Sequence, residues 1–257
     1  MPLPRVIPSL LLRTTGLVKT QKFNKPIYLG DPVNIVRIFN DKEVDEICLL
    51  DITATHEDRG PNFKILSEIS SECFMPLAYG GGISTVAQMK ELFRMGVEKV
   101  ILNSHVVEDM LLVRQAAETF GSQSVVISVD AKTHVFGRYR VHVRGGTKNT
   151  GWEPAAYASK MQALGAGEIL LNSIDRDGTM RGYDLDLIRN VASAVDIPVI
   201  ACGGAGHVSD FRLAIAAGAS AISAGSLFVF QGPHRAVLIS FPAPEELKAL
   251  FQVDSSR

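Results

Sequence analysis

The chain has 257 residues, 46% of them hydrophobic and 21% charged, with 26 basic side chains against 27 acidic ones. That mixture supports a sizeable core and argues against long disorder, and the near-neutral balance leaves no global field to attract nucleic acid or acidic lipid. The length fits either two ordinary domains or one α/β barrel of ~250 residues.

Cys48, Cys73 and Cys202 lack CxxC or Cys/His ligand spacing, and two of them fall within apolar runs, ICLLD and VIACGG. They read as buried thiols of a reducing cytoplasm, and neither a metal nor a cofactor is expected. No run approaches the ~18 apolar residues of a membrane helix, and Pro4, Arg5 and Pro8 interrupt a signal-peptide reading of the N-terminus. The expectation is a cytoplasmic enzyme or subunit with neither nucleic acid nor membrane as a partner.

In chain order, eight short apolar runs read as strands: RVIPSLLL, EICLLDI, MPLAYGG, KVILNS, SVVISVD, EILLNSI, IPVIACGG and AISAGS. They are too short for helices, often β-branched, and do not alternate, as expected of parallel strands covered on both faces. The first, in Ile7 to Thr20, is expected to end in a polar loop. Helices are predicted between runs, among them Thr85 to Met95, Met110 to Phe120, Pro154 to Leu164 and Asp184 to Val195, several closed by glycine. The tail after Pro242, ending VDSSR, reads as a terminal helix and a frayed end. Alternating strand and helix implies a parallel sheet.

An internal repeat decides between an open sheet and a closed barrel. Met75 to Ser104 lies over Ile197 to Ser226 without a gap, at an offset of 122. Pro76 meets Pro198, Gly81 and Gly82 meet Gly203 and Gly204, and Ser104 meets Ser226. Two similar halves of four βα units each make the eight that close a (β/α)8 barrel. One domain over 1–257 is expected, with half-barrels of about 1–121 and 122–242 and a tail over 243–257.

Ligands in such barrels meet the loops at the C-terminal ends of the strands. The repeated exits YGGG and CGGAG, with Gly81, Gly82, Gly203 and Gly204, let backbone N–H groups approach an anion, although such glycines also simply permit tight turns. The neighbouring exits bring Asn103 and Ser104 on one side and Ala224, Gly225 and Ser226 on the other. Two symmetry-related phosphate sites and a ligand phosphorylated at both ends are expected. Asp130 closes the fifth strand, and Asp175 and Asp177 lie in the turn-like DRDG after the sixth. A partly desolvated aspartate can serve as general acid or base, or can anchor a loop by hydrogen bonds. Asp51 could be a structural residue of the barrel mouth. At the entering ends, Arg5, Glu46, Lys99 and Glu168 would form a ring of two cations and two anions, which by itself reads as a salt-bridged plug.

The strings GDPV, LLDITA, YGGGI, GVEKVILNS, KNTG, GAGEILLNSIDRDGT and IPVIACGGAG, spread over Arg5 to Pro242, resemble the cyclase subunit of imidazole glycerol phosphate synthase. The resemblance implies a glutaminase subunit docked on the barrel's base and ammonia travelling through the barrel to a bisphosphorylated ribulosyl-aminoimidazole carboxamide. The products would be imidazole glycerol phosphate and the aminoimidazole carboxamide ribotide. By resemblance, Arg5, Glu46, Lys99 and Glu168 become an ammonia gate, and Asp130 one of two catalytic aspartates. Asp177, beside the Gly178 phosphate contact, becomes a supporting acid, and Lys19 the lysine of a mobile first loop. The other aspartate falls on Leu11: the family pattern is close to IPCLDVKDGRVVKG, and this chain has IPSLLLRTTGLVKT, with Thr20 replacing a glycine. Leucine cannot transfer a proton, and losing a positioned acid or base forfeits ~10²-fold to 10⁴-fold in rate. Three functions follow: a working cyclase, a non-cyclising paralogue that passes ammonia to a sugar amidotransferase in surface-polysaccharide synthesis, and a sugar-phosphate isomerase using Asp130 alone.

Overall fold

The computed structural model describes residues 3–232 and 234–252. In chain order its elements are β1 (Arg5–Arg13), β2 (Gly16–Gln21), β3 (Asn24–Gly30), α1 (Pro32–Asn40), β4 (Ile47–Asp51), α2 (Phe63–Ser70), β5 (Leu77–Gly80), α3 (Val86–Arg94) and β6 (Lys99–Leu102). Next come α4 (Ser104–Glu108), α5 (Leu111–Phe120), β7 (Val125–Thr133), β8 (Tyr139–Val143), β9 (Lys148–Asn149), α6 (Pro154–Ala163), β10 (Glu168–Ser173), α7 (Leu185–Ala192) and β11 (Val199–Cys202). The chain ends with α8 (Ser209–Ala216), β12 (Ala221–Ala224), α9 (Ser226–Val229), β13 (Phe230–Gln231), β14 (Ala236–Val237) and α10 (Pro244–Gln252). The terminal helix is therefore present, whereas the frayed end expected over 253–257 lies outside the described residues.

Parallel pairing runs β1-β4-β5-β6-β7-β10-β11-β12 and returns from β12 to β1, closing the (β/α)8 barrel. All eight predicted strands are barrel staves. Their Val, Ile and Leu residues divide between two cores, because successive side chains point to opposite faces. Ile7, Cys48, Ala78, Ile101, Val126, Leu170 and Ile200 fill the interior. Their neighbours, such as Val6, Leu49, Val100, Ile127 and Ile169, pack outward under the helices.

Local chemistry fixes where the helices begin. Thr85 and Gln88 form a reciprocal capping box on α3, while Asp31, followed by Pro32, accepts from Asn34 N at the start of α1. Asp184 caps α7 in the same way. Caps of this kind are each worth ~1 kcal/mol. Among the described residues, no helix is long and apolar enough to cross a membrane.

The first strand does not end in a loop. After a turn with Thr14 at φ 58°, the chain returns as β2, paired with β1 through Leu11↔Val18 and Leu12↔Leu17, and then with β3. Hydrophobic Leu17 and Val18 are buried beside Lys19 and Thr20, so a sequence that looks polar forms a seated hairpin. A second antiparallel extension follows β7, where Asp130 pairs with His142 of β8. Both hairpins rise from the C-terminal face and build the walls of the mouth.

Candidate functional site at the two ends of the barrel axis

At the base, Arg5 donates to Glu46 and Glu168, and Lys99 Nζ lies 3.0 Å from an oxygen of each glutamate. The sequence ring is thus closed, with every acid touching both cations. Glu46 and Glu168 are 3% and 4% exposed, so both carboxyl groups are held inside the barrel by these bonds. Behind the ring lies a cavity of ≈ 10 Å³ lined by Glu46, Ile7, Cys48, Val126, Leu170 and Ser223, among others. That is about the space one water-sized molecule needs. Ser223 Oγ is buried there without a hydrogen-bond partner of ordinary geometry.

At the other end a cavity of ≈ 560 Å³ opens between the hairpins and the strand exits. Leu11, Lys19, Asp130 and Asp177 reach it, as do Gly81, Gly82, Asn103 and Ser104. Asp130 accepts from Asn103 Nδ2 at 3.1 Å and from Ser128 Oγ at 3.2 Å. Burial nevertheless pushes its carboxyl up to about 7, against the pull of those two donors. A group poised there can both take and give a proton near neutrality. Leu11, 8% exposed, offers only methyl groups to the same space.

Asp177 is already committed. Lys19 Nζ and Thr20 Oγ1 each approach its carboxylate at 3.1 Å, and Lys22 N donates to its carbonyl at 2.9 Å. Lys19 is 5% exposed on β2 and is not the lysine of a free loop. Asp51 is likewise consumed, as Arg59 grips both of its oxygens at 2.8 and 3.1 Å and the amides of Thr53 and Ala54 add further bonds. Its part is structural. Asp175 receives the Thr133 amide at 2.8 Å and anchors its loop to β7.

The two halves of the repeat diverge at this end. Gly81 adopts φ 129°, and a Cβ there would stand 2.5 Å from Asp51 O, so only glycine lets this loop turn against β4. It opens onto the cavity with Gly82, and Ser104 Oγ accepts from Arg144 N while donating to Asn103 Oδ1. Gly203, Gly204, Ala224 and Ser226 are buried and, with Gly178 and Gly225, stand outside that lining. The first hairpin reaches two of them: Lys19 Nζ lies 2.8 Å from where a Gly225 Cβ would sit, and Thr20 O only 2.3 Å from that of Gly178, whereas Gly203 and Gly204 turn against Asn172, Ser173 and Gly182. Among the described residues, Ser226 Oγ and Asn172 Oδ1 are buried at this end without hydrogen-bond partners. The sequence reading missed His56, Arg59, His105 and Arg144, which line the open end. Of these, Arg144, set before the paired glycines of RGG, and Arg59, set before Gly60 and Pro61, carry turn signals. Among the described residues, no group of three or more His, Cys, Asp or Glu side chains is placed to hold a metal.

Comparison with known proteins agrees with this architecture. The family model described as "Histidine biosynthesis protein" matches residues 5–234. A Pseudomonas aeruginosa protein named "Putative imidazole glycerol phosphate synthase subunit hisF2" is 50% identical over 244 residues, covering 95% of this chain and 97% of its own. A Leptospira interrogans protein with a corresponding HisF name is 46% identical over 250 residues, covering 96% and 98%. The "Imidazole glycerol phosphate synthase subunit HisF" of Alkaliphilus metalliredigens is 47% identical over 225 residues, covering 87% and 89%. The chain therefore belongs to the histidine biosynthesis protein family, as a divergent member of its HisF branch.

Proposed function

We propose that this barrel receives ammonia at its base from a glutaminase subunit and delivers it at the mouth, and that Leu11 has removed the first-strand proton chemistry of a cyclase. The observation that carries the proposal is the sequence of features along one axis. A ring of opposed charges stands at the base, a water-sized apolar cavity lies behind it, and a mouth follows in which Asp130 is poised but Leu11 is inert. A passage walled by Ile7, Val126 and Leu170 favours neutral ammonia over ammonium, since an unpaired ion pays heavily for leaving water. Breaking the Lys99 contacts would open the ring, and Ser223 Oγ offers the arriving molecule a hydrogen-bond partner.

The acceptor then belongs to another enzyme, for which a sugar amidotransferase of surface-polysaccharide synthesis fits the loss at Leu11. A second reading keeps the family reaction, converting the bisphosphorylated ribulosyl-aminoimidazole carboxamide to imidazole glycerol phosphate and the aminoimidazole carboxamide ribotide. It is favoured by Asp130, whose carboxyl near 7 could serve alone as acid and base.

One experiment separates the two. The purified protein is given the bisphosphate with ammonium salt, beside Leu11→Asp. The delivery reading expects product formation in the wild type to fall short of an active cyclase by ~10²-fold or more, with turnover gained in the variant. Robust wild-type turnover refutes it.

A further inference from the structure

On the outer side of the first hairpin is a separate cleft of ≈ 390 Å³, lined by Gln21 and Lys22 of the β2–β3 turn and by Asp175, Arg176, Thr179 and Arg181 of the loop after β10. Three cations face one carboxylate. Asp175 is turned to the Thr133 amide at 2.8 Å, and among the described residues no salt bridge joins Lys22, Arg176 or Arg181 to an acid. Arg176 is held in place instead by its own loop, donating from Nη1 to Arg181 O at 3.1 Å, while Thr179 Oγ1 donates to Arg176 O at 2.7 Å. Lys22 N donates to Asp177 O at 2.9 Å and brings the two walls together.

Unneutralised cations gathered across a gap repel one another, more strongly beside a protein wall than in open water. A multivalent anion relieves that repulsion, and the arginine fork matches phosphate oxygens in pairs. We infer that this cleft binds a phosphorylated small molecule, of the phosphate-monoester or diphosphate class, and that the bound anion ties the first hairpin to the loop after β10. The space exceeds that of inorganic phosphate, so an organic group fits beside the charge. With the anion in place, Lys19 and Thr20 are held down over Gly178 and Gly225, and the mouth stays in its covered form. This inference is independent of the proposed function, whose own test is the cyclisation assay.

Inorganic pyrophosphate is the probe, followed through backbone amide shifts of the whole protein with sulfate at matched ionic strength as control. The expected result is saturable movement of the Lys22, Thr179 and Arg181 amides and slowed hydrogen exchange in β2. In Lys22→Ala/Arg181→Ala the affinity read at the remaining cleft amides falls at least tenfold while shifts at Gly82 and Ser104 persist. Both replaced side chains are exposed, and Arg176→Gln, whose loop geometry can be kept by an amide, serves as an independent variant with the same expected loss. Movement confined to Gly82, Asn103 and Ser104, equal shifts with sulfate, or undiminished cleft binding in the variants overturns the site. Unchanged exchange in β2 at saturation overturns the closure.

Discussion

Thr20 tests how the mouth is covered. Its hydroxyl donates to Asp177 at 3.1 Å in a place where Thr20 is 7% and Asp177 4% exposed. Thr20→Gly removes a somewhat long hydrogen bond to a carboxylate, worth ~1–2 kcal/mol. It also puts glycine into a strand, at ~0.5–1 kcal/mol. Lys19 and the Lys22 amide still hold Asp177, so the loss falls on hairpin opening rather than on the barrel. About 2 kcal/mol raises the open population by roughly 30-fold. Native-state hydrogen exchange should show this as a matching fall in protection of the β2 and β3 amides, with β4, β5 and β10 unchanged. Thr20→Ser, which keeps the hydroxyl, should retain most of the protection. Protection in β2 that changes less than twofold in Thr20→Gly, or that falls equally in every stave, refutes the latch.

Three further outcomes follow from the same geometry. Asp130 has its carboxyl raised from 3.8 to about 7, so the folded protein holds that proton more tightly than the unfolded chain does. The corresponding stability is full below about pH 4 and is lost as pH rises through about 7. Asp130→Asn should therefore gain about 2–4 kcal/mol on the wild type in urea unfolding between pH 5 and pH 8, and a gap independent of pH would contradict this. Arg59→Ala strands the buried Asp51 carboxylate and should cost about 3 kcal/mol, seen as a lower Tm. Lys99→Met leaves Glu46 and Glu168 to share Arg5. It should cost ~1–3 kcal/mol in urea unfolding once the partial exposure of both cations is allowed for.

The staves were legible because each is a contiguous apolar run, and the repeat at offset 122 supplied the closure. The hairpins were not. Lys19 and Thr20 look like loop residues until their partner is known, and that partner, Asp177, stands more than half the chain away. The glycine loops also read as equivalent in sequence yet differ in space. Repetition places Gly81 and Gly203 alike on their strands, but Gly81 opens onto the cavity whereas Gly203 is packed against Asn172 and Ser173. Arg59 was missed for a related reason: its two bonds to Asp51 come from a loop with no periodicity to announce them.

The chamber behind the base ring has room for a single small guest. If ammonia is delivered along this axis as proposed, traffic is counted rather than poured, because a second molecule has no room to wait at this point. Under the delivery reading, the tempo of the acceptor reaction is set at the base, molecule by molecule, by how often Lys99 releases its glutamates.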